Sequence, residues 1–178
     1  MKLIIQIPCL NEEKTLPLVL SGIPEKIDGI TSIYTQVIDD GSDDNTVQVA
    51  TELGVTSIIK NTGNKGLGIS FRIGIENALI NGADILVNTD GDNQYPSSYI
   101  SNLVAPIING EADIVIGDRK TSEIHHFSLV KRFFQRLGTK VTIFLSGEKN
   151  INDAVSGFRA YSRQALIELN VTLSLIHI

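Results

Sequence analysis

The sequence predicts an α/β domain whose central sheet is mostly parallel. Three observations carry this. Short, mostly β-branched apolar runs recur along the chain, stretches with helical spacing separate them, and a polar cluster follows each apolar run. Strands alternating with helices at this length build a sheet covered on both faces. The chain has 178 residues, enough for one compact core, since a domain of ~150 residues buries roughly 70% of its extended surface.

The elements follow in order. Residues 3–7 form the first predicted strand, and residues 13–22 show helical spacing. A second strand at 33–38 precedes a helix at 46–53. A third strand at 56–59 precedes a helix at 69–80. A fourth strand at 85–88 precedes a helix at 98–108, and a fifth strand occupies 114–116. Residues 127–145 read as a longer amphipathic helix. Leu129, Phe133, Leu137, Val141 and Phe144 share one face, and Arg132, Arg136 and Lys140 fall at i, i+4 and i+8 on another. Residues 153–169 read as a polar motif followed by a helix. The chain ends on Leu173-Ser174-Leu175-Ile176-His177-Ile178 with no capping or polar element. The expectation is one domain over residues 1–170, truncated at its C-terminus, and a tail at 171–178 of uncertain membership.

Composition removes several classes of function. A net charge of -5 argues against a broad nucleic-acid surface. The single cysteine, Cys9, can form no internal disulfide and no zinc motif, and reads as a small packed residue rather than a nucleophile. The apolar start at 3–5 is too short for a signal peptide, and Pro8 and Asn11 interrupt it. No window reaches the ~18 apolar residues of a membrane span. A cytoplasmic protein is expected, soluble or peripheral at the inner face of the cell membrane.

In an open α/β sheet the ligand crevice lies beyond the carboxyl ends of the strands. The polar clusters stand at those ends. They are Pro8-Cys9-Leu10-Asn11-Glu12-Glu13, the acidic run from Asp39 to Thr46, Asn61-Thr62-Gly63-Asn64-Lys65-Gly66, Asp90-Gly91-Asp92-Asn93-Gln94, and Gly117-Asp118-Arg119. Their convergence predicts one site. Asp90 and Asp92, with an amide two residues on, suit a hard cation, Mg²⁺ or Mn²⁺, which usually bridges carboxylates to substrate phosphates. Asp39 and Asp40 can accept hydrogen bonds from a nucleobase or a ribose, while Asp39, Asp43 or Asp44 can instead cap the next helix. Asn64-Lys65-Gly66-Leu67-Gly68 follows a strand and opens a helix, where backbone N–H groups can approach phosphate. It fits neither a dinucleotide fingerprint nor a P-loop, and a plain tight turn is the alternative. Arg119 can pair with a phosphate as a fixed fork, or form a surface ion pair. His125 and His126 read as solvated loop residues.

Taken together, six segments resemble the family-2 glycosyltransferases of the GT-A fold, and within them the polyprenyl-phosphate sugar synthases of the dolichyl-phosphate mannose synthase type. The segments are the Pro8 cluster led by Ile7, Val37-Ile38 with the acidic run, Asn64–Gly68, Asp90–Gln94, Ile116-Gly117-Asp118-Arg119, and Asp153-Ala154-Val155-Ser156-Gly157-Phe158-Arg159. They cover residues 3 to about 170 in the family's order and spacing. The resemblance implies a Rossmann-like three-layer α/β/α domain. It implies a metal-dependent, inverting transfer of a sugar from a UDP- or GDP-sugar to a polyprenyl phosphate. Asp40 is implied for the base and Glu12 for the ribose, with Pro8, Leu10, Asn11, Asp39, Lys65, Asp90 and Arg119 in the donor set. Asp92 is the best metal ligand, with Asp90 and Gln94 beside it. Asp153, Asp92 and Arg159 are implied in catalysis, and Arg132, Ser156 and Arg159 at the acceptor. Gly157 and Phe158 are expected to serve packing and a turn. A polyprenyl phosphate is already an anion, so Asp153 is a base only if the acceptor needs deprotonation.

Other readings are distinguishable. A soluble saccharide acceptor would remove the membrane contact, which the basic and apolar faces of 127–145 support. A nucleotidyltransferase should carry a Gly-rich basic loop after the first strand, and residues 8–13 have none. A non-catalytic nucleotide-sugar-binding fragment would lack acceptor elements. A glycoside hydrolase needs two opposed carboxyl groups, whereas Asp90 and Asp92 are near neighbours.

Overall fold

A computed structural model describes residues 1–118 and 156–169. Along the chain run β1 (Lys2–Cys9), α1 (Leu16–Ser21), β2 (Ser32–Asp39), α2 (Thr46–Glu52), β3 (Ser57–Lys60), α3 (Leu67–Ile80) and β4 (Ile85–Asn88). A 3₁₀ turn at Ser97–Tyr99 leads into α4 (Ile100–Ile108), followed by β5 (Ile114–Ile116), β6 (Arg159–Ser162) and α5 (Arg163–Glu168). The five expected strands and the four helices between them are all present. The expected helix at 127–145 lies outside the described residues.

The sheet order is β3-β2-β1-β4-β6-β5. The pairs β1–β2, β1–β4 and β2–β3 are parallel, and β6 runs antiparallel to both β4 and β5. β1 lies at the centre, with seven of its eight residues buried. Strands buried on both faces read as continuous apolar runs, which is why β1 and β4 were legible. Successive side chains leave a strand on opposite faces. Leu3, Ile5 and Ile7 of β1 join Val37, Ile85 and Val87 beneath Leu16 and Val19 of α1, Ala50 of α2 and Ile100, Leu103 and Val104 of α4. Ile4, Leu86 and Tyr161 face the other way, onto Ile75 and Ala78 of α3 and Ala165 and Leu166 of α5. The result is a three-layer α/β/α sandwich. Each fully buried Leu or Ile contributes roughly 1.5–3 kcal/mol.

β6 corrects the sequence reading of 153–169, which passed from a polar motif straight into a helix. Four residues are too few to show a period. The strand is held by partners on both sides and buries Ala160 and Tyr161 on opposite faces. Ser162 ends it and caps α5, its hydroxyl accepting from the Ala165 N–H at 3.1 Å.

Candidate functional site

The strand order reverses direction at β1, with β2 and β3 on one side and β4 on the other. A crevice at the carboxyl ends of the strands is expected at such a switch point, and one is present. It is an open cleft of about 340 Å³. Pro8, Cys9, Leu10 and Glu12 enter it from β1, and Asp40 from the end of β2. Asn64, Gly66, Leu67 and Ser70 come from the start of α3 and the loop before it, and Asp90, Gly91 and Asp92 from the end of β4. Four of the five predicted clusters therefore meet, and Gly117 and Asp118, after β5, are not among the lining residues.

The loops after β1 and β2 lace together. Asn11, at φ 61°, donates its N–H to Ser42 Oγ at 2.9 Å and accepts from the Asp43 N–H through its own side chain at 2.9 Å. The Glu12 N–H donates to Thr46 Oγ1 at 2.8 Å, and the Glu13 N–H to Asp44 at 3.1 Å. Asp44 also accepts from the Thr46 N–H at 2.9 Å. Burial pushes the Asp44 carboxyl up, but hydrogen bonds from Thr46 and Glu13 outweigh it and hold the group below the usual range. Asp39 is fully buried and its carboxylate accepts from the Ser42 N–H at 3.2 Å. Asn11 and Asp39 thus shape the loops and do not line the cleft.

Asp40 holds the next loop. Its Oδ1 accepts from Asn61 Nδ2 at 2.8 Å and from the Lys65 N–H at 3.0 Å, and its Oδ2 accepts from the Gly66 N–H at 2.8 Å. Burial raises this carboxyl, but the bonds from Lys65, Asn61, Gly66 and Ser70 together lower it below the ordinary carboxylate value. The N–H groups of Lys65 and Gly66, expected at a phosphate, are therefore aimed at Asp40. The side chain of Lys65 is exposed and outside the lining. Gly41 makes the approach possible. At φ +86°, it sits where a Cβ would fall 2.6 Å from the Gly63 backbone.

The acidic motif closes the cleft. Asp92 accepts from the Gln94 N–H at 3.0 Å, which bends the loop, and the Gln94 side chain is exposed. Gly91 lies so close to the β1 end that a Cβ would meet Cys9 Sγ at 3.0 Å and Glu12 Cγ at 3.2 Å. Cys9 is buried, and desolvation, then the charge of Glu12 and its acidic neighbours, raises its thiol far above the ordinary value. It is a packed, inert thiol.

The late motif reaches Asp90 through its backbone. A Cβ on Gly157 would fall 2.6 Å from Asp90 Oδ2. The Gly157 N–H donates to the Tyr95 hydroxyl at 3.0 Å, and Asn88 Nδ2 donates to the Gly157 carbonyl at 2.8 Å. Phe158 is buried and stacks on Tyr95 with ring centroids 5.3 Å apart. Arg159 Nε donates to the Ser156 carbonyl at 2.7 Å, closing the turn. The Arg159 guanidinium also faces Tyr161, where it opposes the upward push of burial on the phenol. Asp153, Arg119 and Arg132 lie outside the described residues, as do His125 and His126. Tyr95, Asn88 and Ser70 escaped the sequence reading, because one aromatic and two small polar residues in apolar surroundings carry no motif.

A divalent cation fits the donor set. Among the described residues, no three His, Cys, Asp or Glu side chains gather as a complete metal cage. Asp90 and Asp92 line the cleft as hard oxygen donors. Two carboxylates without a cage suit Mg²⁺ or Mn²⁺ completed by phosphate and water. No helix among the described residues is long and apolar enough to cross a membrane.

Comparison with known proteins supplies further findings. The sequence model described as Glycosyl transferase family 2 matches residues 4–169. A UDP-N-acetylglucosamine--dolichyl-phosphate N-acetylglucosaminyltransferase of Methanococcus voltae is 33% identical, over 94% of this chain and 72% of that protein. A polyprenol monophosphomannose synthase of Mycolicibacterium smegmatis is 27% identical, over 93% of this chain and 63% of that protein. Among solved structures, glucosyl-3-phosphoglycerate synthase from Mycobacterium tuberculosis, in complex with Mn²⁺, UDP-glucose and phosphoglyceric acid, superposes with a TM-score of 0.67 at 23% identity, over 92% of this chain and 57% of that one. The chain thus spans between about half and three quarters of the length of these proteins.

Proposed function

This chain belongs to Glycosyl transferase family 2, and from that premise we propose that it moves a sugar from a nucleotide diphosphate sugar to a polyprenyl phosphate, with inversion at the anomeric carbon and dependence on a divalent metal. Its mostly parallel six-stranded sandwich is the GT-A α/β fold. The observation that carries the proposal is the meeting of Asp90 and Asp92 with Glu12 and Asp40 in one cleft, with the Gly157 turn packed on Asp90.

Each residue has a role in this reading. Asp40 takes the base and Glu12 the ribose, on a floor of Pro8 and Leu10 that Asn11 and Asp39 hold in shape. Asp90 and Asp92, with Gln94 beside them, would hold Mg²⁺ or Mn²⁺, which when bound supplies charge to the diphosphate leaving group. Lys65 and Arg119 add positive charge where negative charge develops. Ser156, Arg159 and Arg132 receive the acceptor phosphate, and Asp153 orients or deprotonates the acceptor oxygen opposite the C1–O bond. Residues 1–170 act as the catalytic domain, working at the inner face of the membrane with peripheral contact through 127–145. The names of the two relatives, which include dolichyl phosphate and polyprenol, support the lipid acceptor.

The test is transfer from a panel of UDP- and GDP-sugars to polyprenyl phosphate by the full-length protein, with Mn²⁺ or Mg²⁺ and with EDTA. EDTA abolishes turnover, and Asp92→Ala lowers kcat/KM by about 100-fold or more. Metal-independent turnover, or full activity of Asp92→Ala, overturns the proposal.

A further inference from the structure

One rung of the sheet is polar across five strands. Ser57, Gln36, Gln6, Asn88 and Arg159 pair in register from β3 to β6. The next rung on the same face is apolar at the centre, where Ile4, Leu86 and Tyr161 are all buried. Gln6, Gln36 and Asn88 are 0%, 1% and 6% exposed, and buried amides are costly unless their hydrogen bonds are made.

The bonds are made, and donation runs one way. Asn77 Nδ2 donates to Gln36 Oε1 at 2.8 Å, and Gln36 Nε2 to Gln6 Oε1 at 3.1 Å. Gln6 Nε2 donates to Asn88 Oδ1 at 3.0 Å, and Asn88 Nδ2 to the Gly157 carbonyl at 2.8 Å. Gln36 Nε2 also donates to the Gly74 carbonyl at 2.7 Å. Gly74 leaves room for the row, because a Cβ there would fall 2.2 Å from Gln6 Oε1. Each amide fixes the orientation of the next, so the last can present only its NH₂ to Gly157. Gly157 is held on its other side as well, its N–H donating to the Tyr95 hydroxyl, and a Cβ on it would fall 2.6 Å from Asp90 Oδ2. Apolar residues of similar volume could fill the same layer without such demands, but they could not hold a carbonyl.

We propose that this amide row is a positioning device, in which Asn88, oriented by Gln6 and Gln36, sets the turn at 156–159 against Asp90 for sugar transfer. The proposal rests on the reading above that this turn serves the acceptor side. Asn88 itself does not line the cleft, so it is a positioning residue.

The test uses the full-length protein with Asn88→Leu, which keeps the branched four-atom outline of the side chain, though with bulkier methyl groups, and removes the bond to Gly157. Gln6 Nε2 then keeps the Phe71 carbonyl, 3.4 Å away. The expected result is a fall of about 100-fold in kcat with polyprenyl phosphate, as for a misplacement of ~1 Å, with the nucleotide-sugar KM within about threefold of wild type. Hydrogen exchange of the Gly157 amide accelerates while β1 and β2 amides stay slow. Asn88→Thr, which keeps a partner for Gln6 but is too short for Gly157, behaves alike. An unchanged kcat, unchanged Gly157 exchange, or loss of fold in both variants overturns the proposal. Gly157→Ala, which drives a methyl group into Asp90, is the reference. If it impairs transfer and Asn88→Leu does not, the amide row alone fails. If neither impairs transfer, the role of the turn fails as well.

Discussion

Asp40→Asn separates the carboxylate's hold on the loop from its other work. The wild-type group accepts from Asn61, Lys65 and Gly66 at 2.8–3.0 Å, with the Ser70 hydroxyl beside them. An amide has one acceptor oxygen and one NH₂ group. If the oxygen stays toward Asn61 and Lys65, the Gly66 N–H faces a donor. If the amide flips, two donors are stranded. A hydrogen bond to a charged acceptor is worth about 1.5–3 kcal/mol, and a stranded buried donor costs about 1–3 kcal/mol. The expected loss at pH 7 is about 2–4 kcal/mol, which for a domain of this size lowers Tm by roughly 5–15 °C. The pH dependence gives an independent check. The Asp40 carboxyl is held below its ordinary value, so its contribution is present above the unfolded value near ~3.9 and is lost as pH falls through the folded value. The gap between wild type and Asp40→Asn is therefore level from neutral pH to about 5 and narrows below about 4. Thermal melts from pH 7 to pH 3 measure it. A gap under about 0.5 kcal/mol at pH 7, or one that stays level to pH 3, refutes the reasoning. The same loop supplies Asn64, Gly66 and Leu67 to the cleft, so the donor KM rises with the loss of stability.

Two further outcomes follow from close packing beside the cleft. Gly41→Ala combines a φ of +86° with a Cβ 2.6 Å from the Gly63 backbone, so it costs about 3 kcal/mol or more in urea denaturation. A loss under about 1 kcal/mol would mean that the two loops do not meet so closely. Cys9 is buried and its thiol is pushed up by desolvation and by Glu12, so iodoacetamide leaves the native protein unmodified at pH 8 and alkylates it in urea. Rapid native labelling contradicts the packed position.

The boundary between what the sequence reveals and what it hides follows from the reach of each signal. Leu3-Ile4-Ile5 and Ile85-Leu86-Val87 announce strands because both faces of β1 and β4 are covered. The polar clusters after them announce a site because parallel strands all end at one edge. β6 has only four residues, and it becomes a strand through pairing with β4 and β5, more than forty residues away in sequence. No local pattern contains that information. Asp39 and Asn11 show a subtler limit. Their residue types invite a ligand, but in the structure Asn11 bonds Ser42 and Asp43 across the two loops and Asp39 accepts from the Ser42 N–H within its own loop, partners that no local sequence pattern names.

Gln6 and Gln36 carry this furthest. Each is a polar residue inside an apolar strand, and read singly each is only a blemish in the pattern. Paired in register with Asn88 they form one row, whose partners are separated by 30 and 82 positions. Such a row could be replaced by apolar side chains at little loss of stability. Its directional end, the bond from Asn88 to the Gly157 carbonyl, has no apolar equivalent. A stability measurement alone would therefore misjudge the row. The informative quantity for Asn88→Leu is the ratio of its effect on kcat to its effect on Tm. A change confined to Tm makes the row a packing feature of the sheet, and a change dominated by kcat makes it part of how the acceptor side is aimed.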